Sequence, residues 1–398
     1  MANAPFADRL KNMSGNVIRE ILKLIQQPDM ISFGGGMPSS DAFPMDEVKE
    51  IISEIIGSAD TNILQYSSSE GYQPLREFIA GWLGEKGIRA TADEVLILSG
   101  SQQGIDLAAK AFLNTGDKVI VENPTYLAAL QIFKTYEAQF TIAEVDSEGV
   151  SIDSLKQALS KEQDAAKLLY LVPTFQNPTG LTMSETRRKE VINLVKDYNI
   201  TVVEDDPYGS LNYTGESIPA LKSFDQNGQS VYLGSFSKII SPGLRVGYAV
   251  APKEILNKMI IGKQATDVHT SNLSQMIVYE FCKRGLLEPH INKIIAAYKE
   301  KRDLMLKCME EYFPAEVTWT KPAGGLFIWA RLPEGVSSTD LLQQAVKEKV
   351  AFIPGNSFYA TGGGENTIRL NFSNASKADI EKGIQKLGGV INNYLQSK

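Results

Sequence analysis

Apolar residues in this chain gather into seven short runs rich in β-branched side chains, at positions 95–98, 118–122, 140–145, 168–173, 201–205, 231–236 and 246–251. Runs of that length, bounded by glycine, proline and small polar residues, read as buried strands. Most of the gaps between them are long enough for a helix, and the period changes accordingly: positions 103–113, 126–136, 152–160 and 184–198 carry the helical spacing, the last opening with Ser184 as N-cap. Alternation of this kind predicts a mostly parallel seven-stranded sheet covered on both faces by helices, an α/β architecture. The seventh run follows the sixth too closely for a helical crossover and is read as antiparallel.

Beyond about residue 290 the texture changes. A long charged helix at 291–312, a strand at 325–330, a helix from Thr339 and strands near Ala351 and Ile368 predict a smaller α+β domain. The expected division is an N-terminal arm at 1–44, with an amphipathic helix at 17–26 and joining the small domain, a large domain at 45–290 and a small C-terminal domain at 291–398. A net charge of −7 without a dense basic run argues against a nucleic-acid surface. Two cysteines without metal-ligand spacing and two histidines furnish neither a disulfide framework nor a metal cluster. The start lacks a secretory pattern and no run of apolar residues is long enough to span a bilayer, so a cytoplasmic protein without membrane contact is expected.

Ligands of open α/β sheets collect beyond the carboxyl ends of the strands, so the polar residues there are the candidates for chemistry. After the sixth run stands Gly234-Ser235-Phe236-Ser237-Lys238, with Arg245 seven positions on. A lysine set among hydroxyls near an arginine suits an amine that captures an aldehyde cofactor while its neighbours bind an anionic tail, and pyridoxal 5′-phosphate fits that description. The first run leads into Ser99-Gly100-Ser101-Gln102-Gln103-Gly104, where glycine and free amides at a helix start suit a phosphate, with Ser101, Ser235, Ser237 and Arg245 as donors. The fifth run ends in Glu204-Asp205-Asp206, which is costly to bury without a partner. A carboxylate there would keep a pyridine nitrogen protonated: Asp205 is preferred because Tyr208 could then reach the ring hydroxyl, and Asp206 is the rival. Asn177, in a proline-bounded loop, offers an amide to ring or substrate, Tyr126 a ring to stack, and Arg369 a fork for an α-carboxylate.

With these residues in this order the chain resembles the class I/II aminotransferases of the fold type I pyridoxal-phosphate enzymes, over nearly its whole length. The matching motifs are Ser-Gly-Ser-Gln-Gln-Gly at 99–104, Pro-Thr-Tyr at 124–126, Gln-Asn-Pro-Thr-Gly at 176–180, Glu-Asp-Asp-Pro-Tyr at 204–208, Gly-Ser-Phe-Ser-Lys at 234–238, Gly-Leu-Arg-Val-Gly at 243–247 and Ile-Arg-Leu-Asn-Phe at 368–372. Within that family it is most similar to the 2-aminoadipate/kynurenine group, through Ser-Phe-Gly-Gly-Gly-Met-Pro at 32–38, Gln65-Tyr66 and Pro-Ala-Gly-Gly-Leu-Phe at 322–327. The resemblance implies Lys238 as the Schiff-base lysine, Asp205 at the pyridinium, Tyr126 stacked on the ring, and Asn177 and Tyr208 at the ring hydroxyl. It also implies Ser101, Gln102, Ser235, Ser237 and Arg245 at the phosphate, and Arg369, Asn177 and Gly35 at the substrate. Tyr66 would reach the cofactor phosphate of a second subunit, making a homodimer part of the site, and Arg19 would meet a distal carboxylate of the substrate.

The expected activity is ping-pong transamination from an L-amino acid to a 2-oxo acid, with 2-oxoglutarate as the expected acceptor, a broad or 2-aminoadipate/aromatic-like specificity and no metal. The alternative on the same scaffold is a β-lyase or decarboxylase. Aminotransferase-like domains also serve as sensing halves of transcription regulators. Those carry an added DNA-binding segment ahead of the first motif, and no winged-helix pattern precedes residue 99 here.

Overall fold

The computed structural model describes residues 6–11, 29–58, 61–216 and 218–397. In chain order the strands are β1 (Ile31–Ser32), β2 (Val95–Leu98), β3 (Lys118–Asn123), β4 (Gln139–Asp146), β5 (Gly149–Val150), β6 (Ala166–Leu171), β7 (Thr201–Asp206), β8 (Ser230–Ser235), β9 (Gly247–Val250), β10 (Thr318–Trp319), β11 (Phe327–Arg331), β12 (Val350–Ala351), β13 (Ile353–Pro354) and β14 (Thr367–Asn371).

Every apolar run of the first half is a strand of one eight-stranded sheet, in the order β2-β9-β8-β7-β6-β3-β4-β5. Four neighbouring pairs, from β4 through β3, β6 and β7 to β8, are parallel. Strand β9 runs antiparallel to both β8 and β2, as the short connection requires. The eighth strand is a correction to the seven expected: β5 is a two-residue hairpin partner of β4, closed around Asp146 and Gly149, and so short a piece leaves no apolar run to find. Side chains alternate across the sheet. In β3, Val119 and Val121 face one helical layer while Ile120 faces the other, so both faces are buried.

Helices Ser101–Phe112, Leu127–Thr135, Ile152–Glu162 and Glu185–Val195 stand where the helical spacing placed them. Ser184 caps the last, its side chain accepting from the Arg187 amide. The long charged helix begins earlier than expected, at Leu287, because Pro289 falls in its first turn, where no intrahelical N–H is lost. Of two helices unassigned by the pattern above, Lys253–Gln264 packs with Leu96, Leu98 and Ala249 on one face of β2 and β9, and Asn272–Lys283 belongs with Val95, Ile97 and Val250 on the other.

The second half contributes a four-stranded antiparallel sheet, β10-β11-β14-β13. The chain ahead of the large sheet is tied there too: β1 pairs in parallel with β12, and the Asn371 amide donates to the Phe33 carbonyl at 2.7 Å. These bonds carry Gly34, Gly35 and Gly36 across the space between the two sheets, where they line a cavity at the carboxyl ends of β7 and β8. Arg19 and the expected helix at 17–26 lie outside the described residues.

Candidate active site

The cavity has a volume of ≈ 550 Å³. The run after β8 supplies its floor. Phe236 is fully buried, stacked on Trp82 at 6.2 Å between centroids, and that burial is worth roughly 2–3 kcal/mol. With Phe236 pinned inward, Ser235, Ser237 and Lys238 face the cavity. The Lys238 ammonium donates to the Gly36 carbonyl at 2.7 Å. Burial lowers its pKa to about 8, helped by the positive charges of Arg369 and Arg245, so roughly a tenth of the amine is neutral at pH 7.

The three acids at the end of β7 divide by strand alternation. Asp205 faces the cavity and is 3% exposed, its Oδ2 accepting from the Tyr170 hydroxyl at 2.7 Å while its Oδ1 has no partner. Burial raises its pKa to about 7, against the Tyr170 bond and with the help of Asp206. Asp206, the rival, turns the other way: it accepts from the Gly209 amide at 2.8 Å and the Tyr232 hydroxyl at 2.9 Å. Its carboxylate lines a second cavity of ≈ 370 Å³ near Lys86. Glu204 is wholly buried, accepting from the Leu221 and Lys222 amides at 2.8 Å each, 3.9 Å from the Arg188 guanidinium. Arg188 also donates to the carbonyls of Pro173 and Met183, and so braces the loop that carries Asn177.

The turn after β2 is shaped for an anion. Gly100 has φ 89° and gives no side-chain cap, so the first amides of helix Ser101–Phe112 are left for a ligand. A Cβ on Gly100 would stand 2.4 Å from Arg245 Nη2, and one on Gly247 would stand 2.6 Å from the Ser101 amide, so both glycines are required for the close approach. Arg245 sits in the left-handed region, φ 54°, and its Nη2 donates to the Ser99 carbonyl at 3.1 Å.

Arg369 comes from the other sheet. It is 5% exposed, with its guanidinium carbon 4.2 Å from the Phe327 ring centroid and 5.0 Å from that of Phe358. Its Nη1 donates to Asn177 Oδ1 and its Nη2 to the Gly34 carbonyl, each at 2.8 Å, and its Nε is unpartnered. Burial lowers its pKa to about 10, still far above neutrality. Tyr126, Tyr208 and Gln102 complete the wall. Burial and then Asp205 push the Tyr126 hydroxyl up to about 12, and burial raises that of Tyr208 above its usual range, so both remain neutral hydrogen-bonding groups.

Ser101, Gln102, Tyr126, Asn177, Asp205, Tyr208, Ser235, Ser237, Lys238, Arg245, Arg369 and Gly35, singled out in the sequence, thus surround one cavity. Tyr66 does not: it is 80% exposed, edge-on to His269 at 5.9 Å. Sequence reasoning missed Tyr170 and Arg188. Tyr170 looks like one more apolar strand residue, and only the register that pairs it with Val203 brings its hydroxyl to Asp205.

Comparison with known proteins bears on this arrangement. The family model described as aminotransferase class I and II matches residues 28–387. The chain belongs to that family. It is an aminotransferase, acting on amino acids and their 2-oxo acids. It is 42% identical over 395 residues to aromatic-amino-acid aminotransferase 1 of Thermococcus litoralis, covering 98% of this chain and 95% of the relative. A kynurenine aminotransferase structure from Pyrococcus horikoshii, in complex with PMP, KYN and KYA, superposes with a TM-score of 0.94 at 43% identity, over 98% of this chain and 97% of that one. The α-aminoadipate aminotransferase of Thermus thermophilus, complexed with N-(5′-phosphopyridoxyl)-L-leucine, gives 0.92 at 38%, over 99% and 98%. Among the described residues no cluster of His, Cys, Asp and Glu could hold a metal ion, and no helix is long and apolar enough to cross a membrane.

Proposed function

We propose that this aminotransferase holds pyridoxal 5′-phosphate in the ≈ 550 Å³ cavity and works by a ping-pong cycle, the donor's 2-oxo acid leaving before 2-oxoglutarate enters as acceptor. One observation carries the reading: the unpartnered, buried oxygen of Asp205 shares a cavity with the low-pKa amine of Lys238 and the uncapped helix start at Ser101. A protonated pyridine nitrogen, an aldehyde and a phosphate answer those three features in turn. Bound there, the cofactor supplies a carbonyl for the amino group and a protonated ring that takes up the electron pair left by a departing Cα proton.

The chain's own residues do the rest. Asp205, braced by Tyr170, would keep the ring nitrogen protonated; burial raises its carboxyl to about 7, and a cation beside it would hold it ionised. Tyr126 covers the ring, Asn177 and Tyr208 meet its hydroxyl, and Ser101, Gln102, Ser235, Ser237 and Arg245 bind the phosphate. Arg369 clamps the substrate α-carboxylate as a bidentate fork, Asn177 holding one arm of that fork. Gly35 lines the cavity on the substrate side. Lys238 carries the proton: its neutral amine would take it from Cα and deliver it to the carbon that was the cofactor's aldehyde, so that the amino group stays with the cofactor and the substrate leaves as a 2-oxo acid.

The relatives' activities on aromatic amino acids, kynurenine and α-aminoadipate support a broad or aromatic and aminoadipate-like donor range. The exposed Leu64 and Tyr66, 85% and 80%, support a homodimer in which Tyr66 reaches the partner's phosphate. The arm at 1–44 groups with the small domain at 291–398 in this reading, supported by the β1–β12 pairing, and 45–290 forms the large domain.

Donors are tested by mixing the loaded enzyme with a panel of amino acids and following each 2-oxo acid released, then adding 2-oxoglutarate and following glutamate. Lys238→Ala is expected to lower turnover by about 10²–10⁴-fold. Undiminished turnover in that variant, or a first half-reaction that proceeds only when the acceptor is already present, overturns the reading.

A further inference from the structure

We propose that Lys263 and Asp267 are positioning residues for the phosphate of the cofactor, acting through Ser99; the inference rests on the cofactor assignment above. Neither residue lines the cavity. Lys263 is fully buried at the end of helix Lys253–Gln264, and its ammonium donates to Asp267 Oδ1 at 3.0 Å, Gln103 Oε1 at 2.8 Å and Thr270 Oγ1 at 3.1 Å. A buried ammonium demands such a full set of acceptors, so the three are held in fixed relation to one another. Asp267 Oδ2 in turn accepts from the Ser99 hydroxyl at 2.7 Å and from Gln103 Nε2 at 2.8 Å.

All of this converges on one residue of the turn. The Ser99 amide donates to Gln103 Oε1 at 2.8 Å, its hydroxyl to Asp267, and its carbonyl accepts from Arg245 Nη2 at 3.1 Å. The orientation of the peptide leading through Gly100 to the Ser101 amide is therefore set from behind by the Lys263–Asp267 pair and from in front by Arg245. Two further features fit a device rather than an ordinary ion pair between helices. Gly262 has no side chain where a Cβ would press on Leu107 and Lys110, at 3.2 and 3.1 Å, so helix Lys253–Gln264 comes close enough for Lys263 to reach the turn. Val268, beside Asp267, is β-branched yet held at φ 65°, a conformation that persists only where its surroundings impose it. The same segment reaches outward: Thr270 lies next to His269, which meets the exposed Tyr66.

A residue that merely stabilises the fold would weaken every ligand alike; one that aims the turn weakens only the phosphate. The test compares cofactor-free wild type, Lys263→Met, Asp267→Asn and Ser99→Ala in their Kd for pyridoxal 5′-phosphate and for unphosphorylated pyridoxal, with the ³¹P resonance of the bound cofactor as a second readout. Lys263→Met and Asp267→Asn are expected to raise the Kd of the phosphorylated aldehyde by about tenfold or more, leave that of pyridoxal nearly unchanged and move the ³¹P resonance. Ser99→Ala, which keeps the ion pair, is expected to show a smaller loss in the same direction. Should Lys263→Met fail to fold, Asp267→Asn and Ser99→Ala carry the same comparison. Equal losses for both aldehydes, or an unmoved resonance in folded variants, overturn the proposal alone; a wild type that binds both aldehydes equally overturns it together with the cofactor assignment.

Discussion

At the scale of single residues, the site depends on charged groups buried with incomplete partners. Asp205 has a pKa of about 7 in the cofactor-free protein against about 4 unfolded, so the folded state holds a proton that the unfolded state has released. Stability of the cofactor-free protein should therefore fall as pH rises from about 4 to about 7, and Asp205→Asn should flatten that fall by on the order of 2–4 kcal/mol. Urea midpoints across that range check it; Glu122 and Glu204, also raised to about 7 by burial, leave a residual slope. Arg369 offers a second case. Its planar fork, stacked between two phenylalanines, cannot be matched by a point charge, so Arg369→Lys is expected to lower kcat/KM for every amino donor by roughly 1.5–3 kcal/mol. A loss confined to dicarboxylic donors would assign the residue to the wrong end of the substrate. Lys238 and Asp205 were legible because a lysine among hydroxyls and an acid at the end of a buried strand have few inexpensive explanations, whereas Arg369, in the middle of β14, fits an exposed face equally well by position and drew its role from the resemblance. Tyr170 was not, since a tyrosine inside an apolar strand looks like core until the register is known.

At the scale of elements, the turns matter more than the strands they join. Gly100→Ala would drive a methyl into the Arg245 guanidinium and also place alanine at φ 89°, so it is expected to weaken pyridoxal 5′-phosphate binding while the sheet stays folded. Equilibrium titration against circular dichroism separates those two effects. Arg188→Met tests the bracing of the Asn177 loop. It leaves Glu204 buried without its cation and takes from the Pro173 carbonyl one of its two hydrogen bonds, the Met183 amide remaining, and should destabilise the protein by about 3–5 kcal/mol, read as a shift in the urea midpoint. The strand positions were readable because a buried parallel strand must be continuously apolar. The two-residue β5 and the start of the long helix before Pro289 were not, because neither changes the local period.

At the scale of the whole molecule, the cavity exists only where two sheets and the segment at 34–36 meet. Arg369 on β14, Asn177 on a loop after β6 and the Gly34 carbonyl are joined by two hydrogen bonds of 2.8 Å, although 335 positions separate the outermost pair. Exposed apolar residues, Leu64, Tyr66 and Ile261 among them, lead to the expectation of a particle near twice 43.7 kDa. Leu64→Asp should shift sedimentation toward the monomer and loosen the cofactor together; a monomeric variant with unchanged cofactor affinity would separate Tyr66 from the partner's site.

The amino-acid order alone determined the alternation of strands and helices, the antiparallel turn-back of the last large-sheet strand, and the residue types that can grip an aldehyde, a ring nitrogen and a phosphate, because each depends on local period or on the chemistry of a side chain. Only the tertiary structure decided that Asp205 rather than Asp206 faces the cavity, that Arg188 answers Glu204, and that Lys263 stands behind the Ser99 turn. Those outcomes depend on which face of a strand looks inward and on which distant segment packs against it, quantities fixed by register and burial across the whole chain.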